Sequence, residues 1–125
     1  MKFKEEKMNL KEVMEQKNFV VVGDTLNEDK YAHKIKRKLL DKGYNVHAVG
    51  KELATINDIK EDIDIINLCI NPVKGLAFMQ ECKKPVKAVV MQPGAESPEL
   101  RELLKTRNIE YLESCVLVGL KLYKK

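Results

Sequence analysis

Phe19-Val20-Val21-Val22-Gly23, the loop Asp24-Thr25-Leu26-Asn27-Glu28-Asp29, a stretch carrying Ala32, Ile35 and Leu39, and then Gly43-Tyr44-Asn45-Val46-His47-Ala48-Val49 form the segment whose reading decides the fold. A short unbroken apolar run reads as a strand buried on both faces. The loop after it is dense in turn and capping residues. Ala32, Ile35 and Leu39 then share one face of a helix, predicted from about Lys30 to Lys42 and stopped by Gly43. Tyr44 to Val49 reads as a second strand. Strand, tight turn, helix, strand is the first half of a βαβ unit in which a helix N-terminus faces the carboxyl edge of a parallel sheet, so the chain is predicted to take a phosphorylated ligand.

The alternation continues outward from that segment. Upstream, Leu10, Val13 and Met14 recur at helical spacing, predicting an amphipathic helix within residues 1–17 that packs on the body of the protein. Downstream, Asp64-Ile65-Ile66-Asn67-Leu68-Cys69-Ile70 reads as a buried strand ending at Asn71-Pro72, where proline suits the first turn of a helix over about Val73 to Cys82. Val86 to Met91 is the next strand, Gln92-Pro93-Gly94 a turn, Pro98 to Arg107 a helix with Leu100, Leu103 and Leu104 on one face, and Ile109 to Leu112 a last short strand. Val116 to Tyr123 fits a strand or a helix equally. Strands alternating with helices at this spacing predict a three-layer α/β/α sandwich, a Rossmann-like, mostly parallel sheet of about five strands over residues 18–125 in a single domain.

Composition narrows the partners. The chain has 125 residues, 44% of them hydrophobic, and a formal charge of +4 spread over interleaved Lys, Arg, Asp and Glu rather than gathered in a stripe. Without a basic stripe and interleaved stacking aromatics, nucleic-acid binding is not expected. The first seven residues lack a signal peptide's apolar core, and nothing reaches the ~20 apolar residues of a membrane span. A cytoplasmic protein is the expectation. Cys69, Cys82 and Cys115 show neither a CxxC pair nor a histidine cluster, so reduced thiols and no metal are expected.

The site is sought at the carboxyl ends of the strands. Gly23 opens the phosphate loop, but no second glycine follows before Gly43, so this is neither GxGxxG nor a Walker lysine loop. At the end of the second strand, where an NAD enzyme places a carboxylate for the ribose hydroxyls, stand Val49-Gly50-Lys51; a lysine there suits a phosphorylated ribose, with Glu52 next to it. Lys30 and Lys34 add positive charge one turn apart. Asp24 reads as a helix cap. His33 and His47 read as surface or packing residues without catalytic partners, and no catalytic residue is assigned. Cys115, just beyond the last strand, is the one side chain placed for chemistry, in thiol exchange or acyl transfer.

Taken together, Val20-Val21-Val22-Gly23, Asn27-Glu28-Asp29-Lys30-Tyr31 with Lys34-Ile35, Gly43-Tyr44-Asn45-Val46, Asp64-Ile65-Ile66 through Asn71-Pro72, Met91-Gln92-Pro93-Gly94 and Glu113-Ser114-Cys115 resemble the small stand-alone coenzyme A binding proteins. Their fold is similar to the N-terminal domain of the succinyl-CoA synthetase α subunit. The resemblance covers about Asn18 to Val118. It implies that Gly23, Asp24 and Thr25 line the pyrophosphate with Lys30, Tyr31 and Lys34 beside it. It further implies that Val49, Gly50 and Lys51 approach the phosphorylated ribose, that Asn71, Pro72 and Val73 border the adenine, and that Gln92 and Gly94 meet the pantetheine arm. The implied ligand is coenzyme A or an acyl-CoA, held by a non-catalytic carrier, sensor or subunit, with a homodimer or partner protein possible. Two alternatives stay open: a thiol-dependent enzyme using Cys115, and an NADP-binding regulatory domain. Gly50 replaces the family's usual proline, and the segment before Asp64 is shorter than usual, lacking a small extra strand.

Overall fold

The computed structural model describes residues 8–124. Five strands, β1 (Asn18–Gly23), β2 (Asn45–Gly50), β3 (Ile63–Leu68), β4 (Val86–Met91) and β5 (Glu110–Glu113), form one sheet in the order β2-β1-β3-β4-β5. Every pairing is parallel. The helices are α1 (Leu10–Met14), α2 (Tyr31–Asp41), α3 (Pro72–Glu81), α4 (Pro98–Thr106) and α5 (Val116–Tyr123), with a 3₁₀ turn at Ile56–Asp58.

Strand alternation divides the core into two layers. Val20, Val22, Ile66, Leu68, Val89 and Met91 face Met79 of α3 and Leu100 and Leu104 of α4. Phe19, Val21, Ile65, Ala88 and Val90 face Val13 of α1, Ile35 and Leu39 of α2, and Val116 and Leu120 of α5. The α/β/α sandwich expected from the sequence is therefore present. The connection read as merely polar also feeds the core, since Ile56 and Ile59 are buried in the first layer.

Local signals explain most boundaries. Gly43 ends α2 in a Schellman motif, with Tyr44 N–H bonded to Leu39 O at 3.0 Å and Gly43 N–H to Leu40 O at 3.0 Å. Asn71 caps α3 by accepting Lys74 N–H at 2.9 Å, and Pro72 opens the helix. Ser97 caps α4 by accepting Leu100 N–H at 3.1 Å. Residues 1–7 of the expected N-terminal helix lie outside the described residues; α1 is capped at Asn9, whose side chain accepts Glu12 N–H while its backbone N–H donates to the Glu12 carboxylate, and the helix packs on α5.

Two expectations are corrected. β3 stops at Leu68 instead of reaching Ile70: Cys69 N–H still bonds Val22 O at 2.9 Å, but the chain then turns toward the α3 cap and leaves Cys69 half-buried at the sheet edge. Asp24 does not cap α2. Its carboxylate accepts Asn27 N–H at 3.2 Å inside the loop, and the helix starts at Lys30 without a side-chain cap.

At the opposite end of the strands, Asp64 ties the α1–β1 link to β3. Its Oδ2 accepts Asn18 N–H at 2.9 Å and Lys17 N–H at 3.2 Å, and Oδ1 pairs with Lys87 Nζ at 3.2 Å. Burial pushes this carboxyl up, but the two backbone N–H groups and Lys87 outweigh it and hold its pKa below the usual value. The stabilisation is thus present above the unfolded-state pKa and lost as pH falls through the lower folded one. Asp64→Asn should lower the urea midpoint at pH 7 and cost progressively less as pH falls through the native carboxyl's lowered pKa. A gap between the two proteins that stays constant with pH would count against this role.

Candidate functional site

In the strand order β2-β1-β3-β4-β5, the connections leave β1 in opposite directions toward β2 and β3. Such a switch point opens a crevice beyond the carboxyl ends of the strands. A cleft of about 940 Å³ lies there. Its floor between β2 and β1 is made of backbone. Gly23 and Gly50 stand opposite each other in the β1/β2 register, and a Cβ on Gly50 would come within 2.9 Å of Gly23 O. A Cβ on Gly23 would meet Cys69 O at 2.4 Å and Ala32 Cβ at 2.9 Å. The missing side chains let the ends of β1 and β2, the Cys69 backbone and Ala32 of α2 close up beneath the cleft.

Above that floor the lining is cationic. Lys30 at the α2 cap, Lys51 after β2 and Lys74 in the first turn of α3 all reach the cleft, against Asp24 as the single carboxylate in its lining among the described residues. The N-termini of α2 and α3 open onto the same space, adding partial positive charge. Farther along, past β3 and β4, the lining becomes amide, thiol and apolar: Asn71, Gln92, Cys69, Cys115, Phe78, Ala95 and Leu117.

Nine of the fourteen residues selected from the sequence line this cleft: Gly23, Asp24, Lys30, Tyr31, Gly50, Lys51, Asn71, Gln92 and Gly94. Five do not. Thr25 is only 1% exposed, and its Oγ1 donates to Glu52 Oε2 at 2.6 Å, away from the cleft. Lys34 lies with its ammonium 5.5 Å from the Tyr31 ring centroid. Val49 belongs to the core. Pro72 is spent on starting α3, and Val73, 79% exposed, is outside the lining. The side chains that sequence reasoning passed over include Lys74 and Phe78. Once the helix is anchored at Asn71-Pro72, their i, i+4 spacing puts both on one face, a signal that was present in the sequence.

Glu52 is also resolved as a competitor to Lys51. Its carboxylate binds Lys36 Nζ at 2.8 Å as well as Thr25 Oγ1, and these hydrogen bonds, Lys36 first, hold its pKa below the usual carboxylate value. It is not part of the cleft lining. The histidines likewise have partners elsewhere: His33 Nδ1 lies 2.8 Å from Thr25 O, and His47 Nε2 lies 3.1 Å from Glu61 Oε1. Among the described residues, no cluster of His, Cys, Asp and Glu is grouped to hold a metal ion, and no helix is long and apolar enough to cross a membrane.

A parallel doubly wound sheet with a glycine-floored, lysine-lined crevice at its switch point defines a nucleotide-binding class of α/β protein. Within that class the chain belongs to the CoA binding domain family, which it matches over residues 17–121. Among solved structures it is similar to a conserved hypothetical protein from Pyrococcus furiosus, at 29% identity and a TM-score of 0.75 over 82% of this chain and 98% of that one. It is also similar in fold to a hypothetical protein from Pyrococcus horikoshii (18% identity, TM-score 0.84, 91% and 89% covered) and to a protein from Thermus thermophilus (24% identity, TM-score 0.77, 93% and 99% covered). No curated protein matches the chain.

Proposed function

We propose that the chain binds coenzyme A or an acyl-CoA in this cleft as a non-catalytic module, a carrier, sensor or subunit. The observation that carries the reading is the convergence of Gly23, at the end of β1, and Gly50-Lys51, at the end of β2, on one cleft. Coenzyme A brings roughly four negative charges, counting its phosphomonoester at about −1.5 to −2. Three lysines and two helix N-termini offset much of that charge. The apolar and amide lining beyond β3 and β4 suits a long uncharged pantetheine arm. Binding should weaken as salt rises.

The ligand panel that tests this is coenzyme A, ADP, NAD and NADP in a thermal-shift series. Coenzyme A is expected to stabilise most, by about 2.7 kcal/mol at ~100 times its Kd, which is several degrees for a chain of this size. A larger shift with NADP would move the site to the regulatory-domain reading. Equal or absent shifts for all four would defeat the proposal.

A further inference from the structure

The cleft is chemically polarised along the sheet. Lys51 follows β2, one edge strand, and Cys115 follows β5, the other, and both line the same cleft. Four strand spacings of about 4.8 Å separate those edges, a span of roughly 19 Å. A ligand with its phosphates held over β2 and β1 and its chain laid across the sheet brings its far end to Cys115. For coenzyme A that end is a thiol.

Resting on the coenzyme A reading above, we propose that Cys115 is a thiol–disulfide exchange site, taking the pantetheine end of the ligand into a reversible mixed disulfide. Cys115 does not stand alone in the wall. Gln92, 5% exposed, has its backbone N–H bonded to Leu68 O at 3.0 Å, so its side chain starts from a fixed point on the sheet edge. Its Nε2 donates to Cys115 Sγ at 3.3 Å while its Oε1 accepts Val116 N–H at 2.8 Å. A buried amide thus holds the sulfur and the first turn of α5 together, and the two bonds fix which end of the amide faces the sulfur. The apolar Leu117 lies beside it in the lining.

The other thiols are set apart from this role. Cys69 also lines the cleft, but burial, with the charge of Cys115 second, pushes its pKa up to about 11, so it stays protonated at neutral pH. Cys82 is buried outside the cleft, with its Sγ 3.7 Å from Lys84 O. The step needs no outside oxidant when the ligand arrives as its own disulfide. The Cys115 thiolate attacks one ligand sulfur, the ligand's S–S bond breaks, and a Cys115–ligand S–S bond forms. The departing ligand thiolate takes up a proton equivalent to the one Cys115 gave up. One disulfide is consumed and one is made.

The test incubates the full chain with coenzyme A disulfide and, separately, with pantethine, the disulfide of the same thiol arm without the nucleotide. Adducts are read by intact mass and peptide mapping. The expected result is one adduct per chain at Cys115, removed by dithiothreitol and formed at least about tenfold faster from coenzyme A disulfide than from pantethine. Cys115→Ser should abolish the adduct, and peptide mapping of the unmutated protein should find none on Cys69 or Cys82. Equal rates for the two disulfides, an adduct on Cys69 or Cys82, or no adduct on a protein that reduced coenzyme A still stabilises would overturn the exchange site and leave the binding reading standing. Loss of the thermal shift in the unmutated protein would remove both.

Discussion

Gly23→Ala is expected to destabilise the protein by at least ~2–3 kcal/mol and to abolish ligand binding in whatever fraction stays folded. The added Cβ would sit 2.4 Å from Cys69 O and 2.9 Å from Ala32 Cβ. Neither neighbour can yield cheaply. Cys69 N–H is bonded to Val22 O, so moving its carbonyl pulls on the β1–β3 junction, and Ala32 is buried in the face of α2 that packs on the sheet. The same shift would carry the glycine floor away from the cleft. With a total stability of about 5–15 kcal/mol for a domain, a loss of this size is read directly as a lower urea midpoint. A variant with the wild-type midpoint would show that the three segments do not approach as closely as described. Gly50 obeys the same geometry. The proline implied by the family resemblance cannot stand there, because the residue has φ +124° and its N–H donates to Leu53 O at 2.7 Å, whereas proline fixes φ near −65° and has no N–H.

How far the sequence could be read depended on whether local chemistry or tertiary contact set each feature. The apolar run of β1, the Gly43 stop and the Asn71-Pro72 start are local, and each element stands within a residue or two of its expected bounds. Val116 to Tyr123 was ambiguous because Val116-Leu117-Val118 favours strand while Leu120 and Leu122 continue a helical spacing. Tertiary packing decides it. As a helix the segment buries Val116 and Leu120 on the sheet and brings Gly119 against Met14 of α1, where an added Cβ would lie 2.7 Å from the Met14 sulfur. No local propensity carries that information. The site divides in the same way. Gly23, Gly50 and Asn71, expected at the site, line the cleft, whereas Thr25, expected beside them, is buried and bonded to Glu52, a partner 27 residues away. Cys69 falls inside the strand expected from Asp64 to Ile70, because Asn71-Pro72 marks the start of α3 but not the point just before it where the chain leaves the sheet.

Lys51→Ala is expected to weaken coenzyme A binding by about tenfold or more, the share of one charge-assisted phosphate contact, and to change the affinity for dephospho-coenzyme A by less than about twofold. The selectivity follows from what surrounds the lysine. Lys51 is an exposed residue that lines the cleft just past Gly50, and the adjacent carboxylate of Glu52 is outside that lining, engaged by Lys36 and Thr25. On the coenzyme A reading, this ammonium is the group proposed to meet the ribose phosphate. Lys30 and Lys74 remain in the lining of the variant, so on the same reading the loss should concentrate on the ligand that carries the extra phosphate. Because the removed contact is electrostatic, the variant's affinity should also fall less steeply with added salt than the parent's. Calorimetric titration of both ligands at two salt concentrations measures all of this. Equal losses for the two forms of the coenzyme would take Lys51 off the ribose phosphate and leave it a general contributor to the field of the cleft.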